Sequence, residues 1–410
     1  MNKSIPKEVD VIVVGGGPSG STTSSFLLKE GLSVAIIERS SFPRYHIGES
    51  LVPQVLDVLD ESGSLPAVES AGFLRKEGGV FRWGKKSEPW SFYFDEETSR
   101  YRHTYAYQVI RSEFDQILLN HAKNLGARII KGEVLKENFP RENSLDSRVN
   151  LTVKSNDQDE LELKGKIVVD CSGLSGWLAN KYHLRKFDPF LKNIAIFGYF
   201  EGADRLPGRD RNGILCEAIT NGWLWNIPLH DNTNSVGFIS RFKPSGLEDA
   251  LRIYKEAIDN SSYVKPLLSN ARTVERDGKS IRTIPDYSYS STQLIGPGFV
   301  MVGDAGNFID PIWSTGIFLS TTSAKMAANA VSKFIKEGNV NQLDEYEIRA
   351  QSLYKTYINF VHFFYNTNGN PEDYFWKAYQ LVGKDSAVNP RDAFIRLVAG
   401  RAGLPMEGSK

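Results

Sequence analysis

The stretch Val11-Ile12-Val13-Val14-Gly15-Gly16-Gly17-Pro18-Ser19-Gly20 decides the fold. Four β-branched residues run straight into Gly15, Gly17 and Gly20, a tight turn that leads to the N-terminus of a helix. A buried strand that ends this way delivers backbone, not side chains, to a helix N-terminus. Gly15, Gly17 and Gly20 clear the approach, and the free amides of the helix start attract the pyrophosphate of a dinucleotide.

The rest of the motif follows in order. Ser33-Val34-Ala35-Ile36-Ile37 reads as the next strand and closes on Glu38, 23 residues after Gly15. A carboxylate there is placed to accept hydrogen bonds from ribose hydroxyls, with Arg39 beside it. The three glycines alone are weak evidence. Strand, turn, helix, strand and acid in sequence are strong evidence.

The totals bound the rest. The chain has 410 residues, enough for interlocked domains. Lys plus Arg equals Asp plus Glu at 49 each, so no net charge draws it to nucleic acid or an anionic membrane. Two cysteines, Cys171 and Cys216, cannot form a disulfide framework and fit a reducing cytoplasm. Residues 1–8 lack the apolar core of a signal peptide. No run approaches the roughly 18 apolar residues of a membrane span. The expectation is a cytoplasmic protein with no membrane or nucleic-acid partner.

Along the chain, Phe42 to Leu51 is a loop leading into a helix from about Pro53 to Gly63, with Ser50 placed to cap it. Val80–Trp83 and Trp90–Phe94 read as strands. Arg111–Leu125 is a helix with Phe114, Ile117, Leu118, His121 and Leu125 on one face and Gly126 as its stop. Ala127–Ile130, Arg148–Val153 and Lys166–Asp170 are strands, the last ending in a small-residue turn up to Gly176. Residues 190–285 read as extended segments rich in aromatic and β-branched residues, interrupted by a helix near Leu247–Ala257. That composition suggests an inserted antiparallel sheet. Val300-Met301-Val302 returns to a buried strand, a helix spans Thr315–Glu337, and residues 343–410 are largely helical. Their aromatic stripe reads as packing.

Three separated strand-end motifs, at Gly15–Gly20, Asp170–Gly176 and Gly303–Gly316, together resemble the FAD-binding architecture of the para-hydroxybenzoate hydroxylase superfamily. Within it, four details resemble the flavin-dependent halogenases. Pro43-Arg44-Tyr45-His46-Ile47-Gly48-Glu49-Ser50 is similar to their P-R-x-x-I-G-E-S segment. Trp223-Leu224-Trp225-Asn226-Ile227-Pro228 is similar to their W-x-W-x-I-P signature. Asp310 to Gly316 resembles their flavin-proximal loop, and Lys76 matches the position of their active-site lysine.

The resemblance implies an α/β chain. Residues 1–85, 105–190 and 286–342 form a discontinuous Rossmann-like FAD-binding domain. Residues 86–104 and 191–285 form a substrate-side β-sheet domain, and 343–410 the C-terminal helices. It implies FAD contacts at the Gly15–Gly20 turn, at Glu38, Arg39 and Arg44, and along Ile47, Gly48, Glu49 and Ser50. Arg111, Asp304, Gly316 and Ile317 complete that set. The amides of Thr315 and Gly316 bind chloride or bromide, and Lys76 is catalytic. Burial lowers a lysine pKa, so its amine can hydrogen-bond hypohalous acid or form a haloamine. Trp223 and Trp225, two apart, share one strand face and close off the substrate side together with Trp313.

Trp313 is also a departure. It stands where tryptophan halogenases of the family carry a glutamate, which argues for phenolic, pyrrolic or enolate substrates, possibly tethered to an acyl or peptidyl carrier protein. No second glycine-rich strand-turn-helix follows the first, so reduced FAD is expected from a partner flavin reductase. The alternative is a flavin hydroxylase or reductase of the same superfamily, whose product would form without halide or Lys76. A flavin-loaded scaffold is the third reading.

Overall fold

The computed structural model describes residues 7–85, 88–96, 101–155, 160–285, 288–382 and 389–402. Most of the N-terminal stretch read for a leader, part of the 86–104 segment and the end of the 343–410 segment lie outside them.

The opening stretch folds as its sequence dictates. Val11–Val14 is a central parallel strand between Val34–Glu38 and Ile167–Asp170, with Val11, Ile12 and Val13 fully buried. Arg128–Asn138 adds in parallel beyond Val34–Glu38, and Phe299–Met301 beyond Ile167–Asp170. Antiparallel strands complete an eight-stranded sheet. Because the core strands run parallel, Val14, Glu38, Asp170 and Met301 all end on one edge. In an open α/β sheet that carboxyl edge is the ligand crevice.

A second eight-stranded sheet is built mainly from residues 194–285, as antiparallel pairs. Gly78–Arg82 and Trp90–Tyr93 extend it, the former parallel to Ile214–Ile219. Gly78–Arg82 was expected within the 1–85 portion of the dinucleotide domain, and it belongs by hydrogen bonding to the second sheet. Leu74–Lys76 and Ala106–Gln108 form a separate short antiparallel pair.

Helix Gly316–Glu337 packs on Pro18–Lys29 and on Asn341–Asn366. Asn341–Asn366, Pro371–Val382 and Pro390–Val398 bring Phe364, Tyr374 and Phe394 respectively against Phe81, Trp90 and Trp313 in one aromatic core. The aromatic stripe of the C-terminal helices is therefore packing. Helix Arg111–Leu125 stops at Gly126, whose φ of +116° a side chain would resist. Its last apolar member, Leu125, is 39% exposed, because the face has passed its packing partners by the final turn. No helix among the described residues is long and apolar enough to cross a membrane, and no group of His, Cys, Asp or Glu among them forms a metal-binding cluster.

Candidate active site

The glycine turn is sterically fixed. Gly15 has φ +105°, and a Cβ at Gly20 would overlap the Gly15 carbonyl. Gly17 faces Arg44, whose Nη2 would lie 3.2 Å from a Cβ there. Helix Pro18–Lys29 starts at this point with no acidic residue in its first turn, leaving its positive end for an anion. Glu38 accepts from the Gly16 amide through Oε2 and from the Ser40 amide through Oε1, both at 2.7 Å. It locks the turn as well as facing the cleft.

Two arginines meet on Asp115. Arg111 donates to it at 2.7 and 3.0 Å, and Arg44 at 3.1 Å. Burial pushes Asp115 up, but the Arg111 guanidinium outweighs it and holds the carboxyl below its usual range. Arg111 also donates to the Ile47 carbonyl at 2.6 Å, which ties the 43–50 loop to the helix. Asp115 was missed in the sequence. Its only signal is the four-residue spacing from Arg111 on one helix. His46 was missed as well, and burial, then Arg111, lowers its pKa to about 4.

Gly15, Gly17, Pro18, Ser19, Glu38, Arg39, Arg44, Arg111, Asp304 and Ile317 line one continuous cleft. At His46, Arg111, Leu174, Asp304 and Ile317 it meets a second, mainly apolar cavity. Ile47, Gly48, Glu49, Ser50, Trp223, Trp225 and Gly316 are in the wall of that cavity. An anion-binding turn, an acid at the ribose position and an apolar slot beyond them suit an extended dinucleotide with a flat ring, such as FAD. Asp304 lies at the junction, its pKa raised to about 6 by burial, with Ser320 donating to it at 3.1 Å.

Trp223 and Trp225 lie on the same strand face with ring centroids 6.1 Å apart. Ser314 has φ +57° and turns the chain so that Thr315 and Gly316 open helix Gly316–Glu337. The amides of that first turn have no acceptor within the helix. Thr315 is buried, and its hydroxyl has no hydrogen-bond partner among the described residues.

Lys76 lies 2% exposed behind the cofactor loop. Its Nζ donates to Ser50 Oγ at 2.9 Å and to the Leu51 carbonyl at 2.8 Å. Burial lowers its pKa to about 7. Ser50, expected to cap the following helix, holds the lysine instead, and Val52 takes the cap position. Lys76 is not in the wall of the cavity. Ser50 is where the two sides meet, since it lines the cavity and accepts from the amine.

Trp313 does not reach the cavity either. It is enclosed by Phe81, Phe360, Phe364 and Phe394, with centroids 4.4 to 5.6 Å away. The nearby carboxylate is Asp310, which accepts from Asn193 and Tyr365 at 3.1 and 2.9 Å. Trp223 Nε1 donates to the same Tyr365 hydroxyl at 2.5 Å.

The family model described as "Tryptophan halogenase" matches residues 10–103 and 95–402. A "Tryptophan 2-halogenase" of Chondromyces crocatus is 35% identical over 411 residues, covering 97% of this chain and 76% of that protein. A 1H-pyrrole-2-carbonyl-[peptidyl-carrier protein] chlorinase of Pseudomonas fluorescens is 29% identical over 385 residues, covering 88% of this chain and 84% of that one. Among solved structures, the myxobacterial chondrochloren halogenase CndH superposes with a TM-score of 0.79 at 34% identity, covering 97% of this chain and 91% of the other. A match of this extent places the chain in the tryptophan halogenase family, as a flavin-dependent halogenase working with FAD and a halide.

Proposed function

We propose that this halogenase acts on an electron-rich phenolic or pyrrolic ring, or an enolate, and that Lys76 delivers the halogen. The observation that carries the reading is the Lys76 amine, buried, fixed by two acceptors and with its pKa lowered to about 7. A large fraction of such an amine is neutral at physiological pH, and a neutral amine can hydrogen-bond hypohalous acid or take up its halogen.

When bound and reduced, FAD would supply two of the four electrons that reduce dioxygen, whose atoms leave as one water and one hypohalous acid, and halide would supply the other two. The Gly15–Gly20 turn with Glu38, Arg39 and Arg44 holds the dinucleotide portion. Asp304, Arg111, Ile317 and the 47–50 loop orient the ring end. The Thr315 and Gly316 amides hold the halide, because a helix start offers donors without a counter-cation. Trp223 and Trp225 fill the space between cofactor and substrate and exclude water. Ser50 positions the Lys76 amine.

The apolar cavity wall of Trp223, Trp225, Ile227 and Phe197 supports an aromatic substrate activated by its own hydroxyl or ring nitrogen. The Pseudomonas fluorescens relative's name supports a substrate carried on an acyl or peptidyl carrier protein. A separate flavin reductase is the proposed electron source, since the chain has one glycine-rich dinucleotide turn. Two free, buried cysteines support a reducing, cytoplasmic setting. An indole substrate is the second reading, favoured by the Chondromyces crocatus relative.

The test is a single turnover of wild type and Lys76→Ala with reduced FAD, oxygen and bromide. A phenol, a pyrrole thioester on a carrier protein, and free tryptophan are offered in parallel and read by mass. Bromide- and Lys76-dependent bromination of phenol or carrier-bound pyrrole supports the proposal. Bromination of tryptophan alone selects the second reading. Product that ignores bromide and Lys76 overturns both.

A further inference from the structure

Glu49 is a buried ionisable group of the cavity wall to which the roles above give no proton chemistry. It is 2% exposed and lines the cavity shared with Trp223 and Gly316. The Tyr199 hydroxyl donates to its Oε1 at 2.8 Å. Tyr45 and Tyr199 share a hydrogen bond of 2.9 Å. With the Tyr199 proton committed to Glu49, Tyr45 is the donor in that pair.

Oε2 of Glu49 accepts no hydrogen bond among the described residues, although the Ser235 hydroxyl faces the carboxyl from the neighbouring strand. The cations facing it are Arg276, with Nη1 at 4.0 Å, and Arg111. Burial raises the Glu49 pKa to about 7, against the opposing pull of Ser235, Tyr199 and the two arginines. Its acid proton belongs on Oε2, because Oε1 already accepts from Tyr199.

The far end of the chain of bonds is accessible. Tyr45 is half-buried and borders both the cofactor cleft and a groove beneath residues 275–284. Arg282 stacks over the Tyr45 ring at 3.9 Å and Arg276 over the Tyr199 ring at 4.3 Å, which fixes both phenols. Three proton-bearing groups thus link an accessible groove to the inner, mainly apolar cavity.

We propose that Tyr45, Tyr199 and Glu49 form a proton relay into the cavity where halide is oxidised. The proposal rests on the halogenase reading and on FAD binding in that cavity. The reaction consumes a proton. Reduced FAD (FADH2), dioxygen, halide ion and one proton give oxidised FAD, hypohalous acid and one water. Glu49 releases its Oε2 proton into the cavity. Its Oε1 takes the Tyr199 proton, Tyr199 takes the Tyr45 proton, and Tyr45 is reprotonated from water in the groove. A neutral carboxylic acid also spares the bound halide a neighbouring negative charge.

The test compares the full-length wild type with Glu49→Gln, Tyr199→Phe and Tyr45→Phe. Infrared titration of the protein without FAD across the neutral range is expected to show a protonated-carboxyl band that Glu49→Gln removes. FAD affinity, read by fluorescence quenching, is expected to stay at the wild-type value in Tyr199→Phe and Tyr45→Phe, and Glu49→Gln, which changes a residue of the cofactor loop, is assayed at saturating FAD. Single-turnover formation of hypobromous acid is expected to fall about a hundredfold in Glu49→Gln and Tyr199→Phe. Added formic acid, small enough to enter the cavity, is expected to restore Glu49→Gln. A missing carboxyl band, a wild-type rate in Glu49→Gln, or a slow Glu49→Gln that formic acid leaves slow beside an unimpaired Tyr199→Phe overturns the relay. A wild type that makes no hypobromous acid overturns the reaction reading instead, and the infrared result still judges the proton on Glu49.

Discussion

The Lys76 amine donates to Ser50 Oγ at 2.9 Å, which fastens the proposed catalytic amine to the back of the loop whose front lines the cofactor cavity. That arrangement costs stability, because a buried cation loses its hydration. Replacing the lysine with methionine keeps most of its volume and removes the charge. Lys76→Met is expected to abolish halogenation and raise the unfolding temperature. The sign of its pH dependence follows from the lowered pKa. Between pH 7 and 10.5 the unfolded chain holds the lysine proton and the folded chain releases it, so wild-type stability gains as pH rises. The stabilisation by Lys76→Met is therefore largest at pH 6 and smallest at pH 10, as thermal unfolding at both pH values would show.

The same pKa sets the activity profile. If the neutral amine handles hypohalous acid, substrate halogenation per hypohalous acid formed should rise as pH passes through about 7. Ser50→Ala removes one acceptor and leaves the Leu51 carbonyl. At saturating FAD it is expected to lower the yield of halogenated product about tenfold, because a misplaced amine loses hypohalous acid to solvent. Parallel measurement of free hypobromous acid and halogenated phenol separates the two steps.

Gly20 tests the cofactor turn. A Cβ there meets the Gly15 carbonyl, which is itself held because Gly15 donates to Ile37 at 2.8 Å. Gly20→Ala should abolish FAD binding in a fluorescence titration. Gly31→Ala is the control, since a Cβ there meets nothing within 4 Å even though its φ of +79° carries strain. It should lower the unfolding temperature modestly and leave FAD affinity unchanged.

The parallel sheet and the cofactor turn were legible because their physics is local: β-branched residues, then glycine, then a helix start. The tryptophan pair was legible because side chains alternate along a strand. What the sequence hid was long-range. Nothing local says that Ser50 would leave its helix to hold Lys76, 26 residues away. Glu49, Tyr199 and Arg276 come from three separate segments and meet only through the second sheet. Val80–Trp83 reads as a strand and the strand forms over Gly78–Arg82, but its neighbours in space are residues 214–217, which no short window contains.

Tyr365 joins two motifs that are distant in sequence. It accepts from Trp223 Nε1 and donates to Asp310, which opens the loop to Thr315 and Gly316. Tyr365→Phe leaves the indole donor and the buried carboxylate each short of a partner, at a cost of about 1–3 kcal/mol. Burial raises the Asp310 pKa to about 6, against Asn193 and Tyr365. Losing the Tyr365 donor should raise it further. Since the folded chain then holds that proton more tightly, the destabilisation by Tyr365→Phe should grow as pH rises from 5 to 8. Chemical denaturation at both pH values checks this.

Trp313 separates a packing role from a chemical one. Its indole nitrogen has no hydrogen-bond partner among the described residues, and its neighbours are phenylalanines. Trp313→Phe loses ring volume but no bond, so it should cost about 1–3 kcal/mol and keep halogenation. Trp313→Glu places an unpaired carboxyl in the same aromatic enclosure. With no cation beside it, the side chain must either take up a proton or break the packing, at about 3 kcal/mol or more. The variant should therefore lose stability, more at pH 8 than at pH 5, because only the neutral acid is tolerated there. It should also fail to halogenate free tryptophan, since the glutamate would face Phe360 and Phe364 and not the Lys76 amine. Unfolding curves at the two pH values, with mass analysis of a tryptophan incubation, test both. A stable Trp313→Glu that halogenates tryptophan would mean that position 313 faces the substrate.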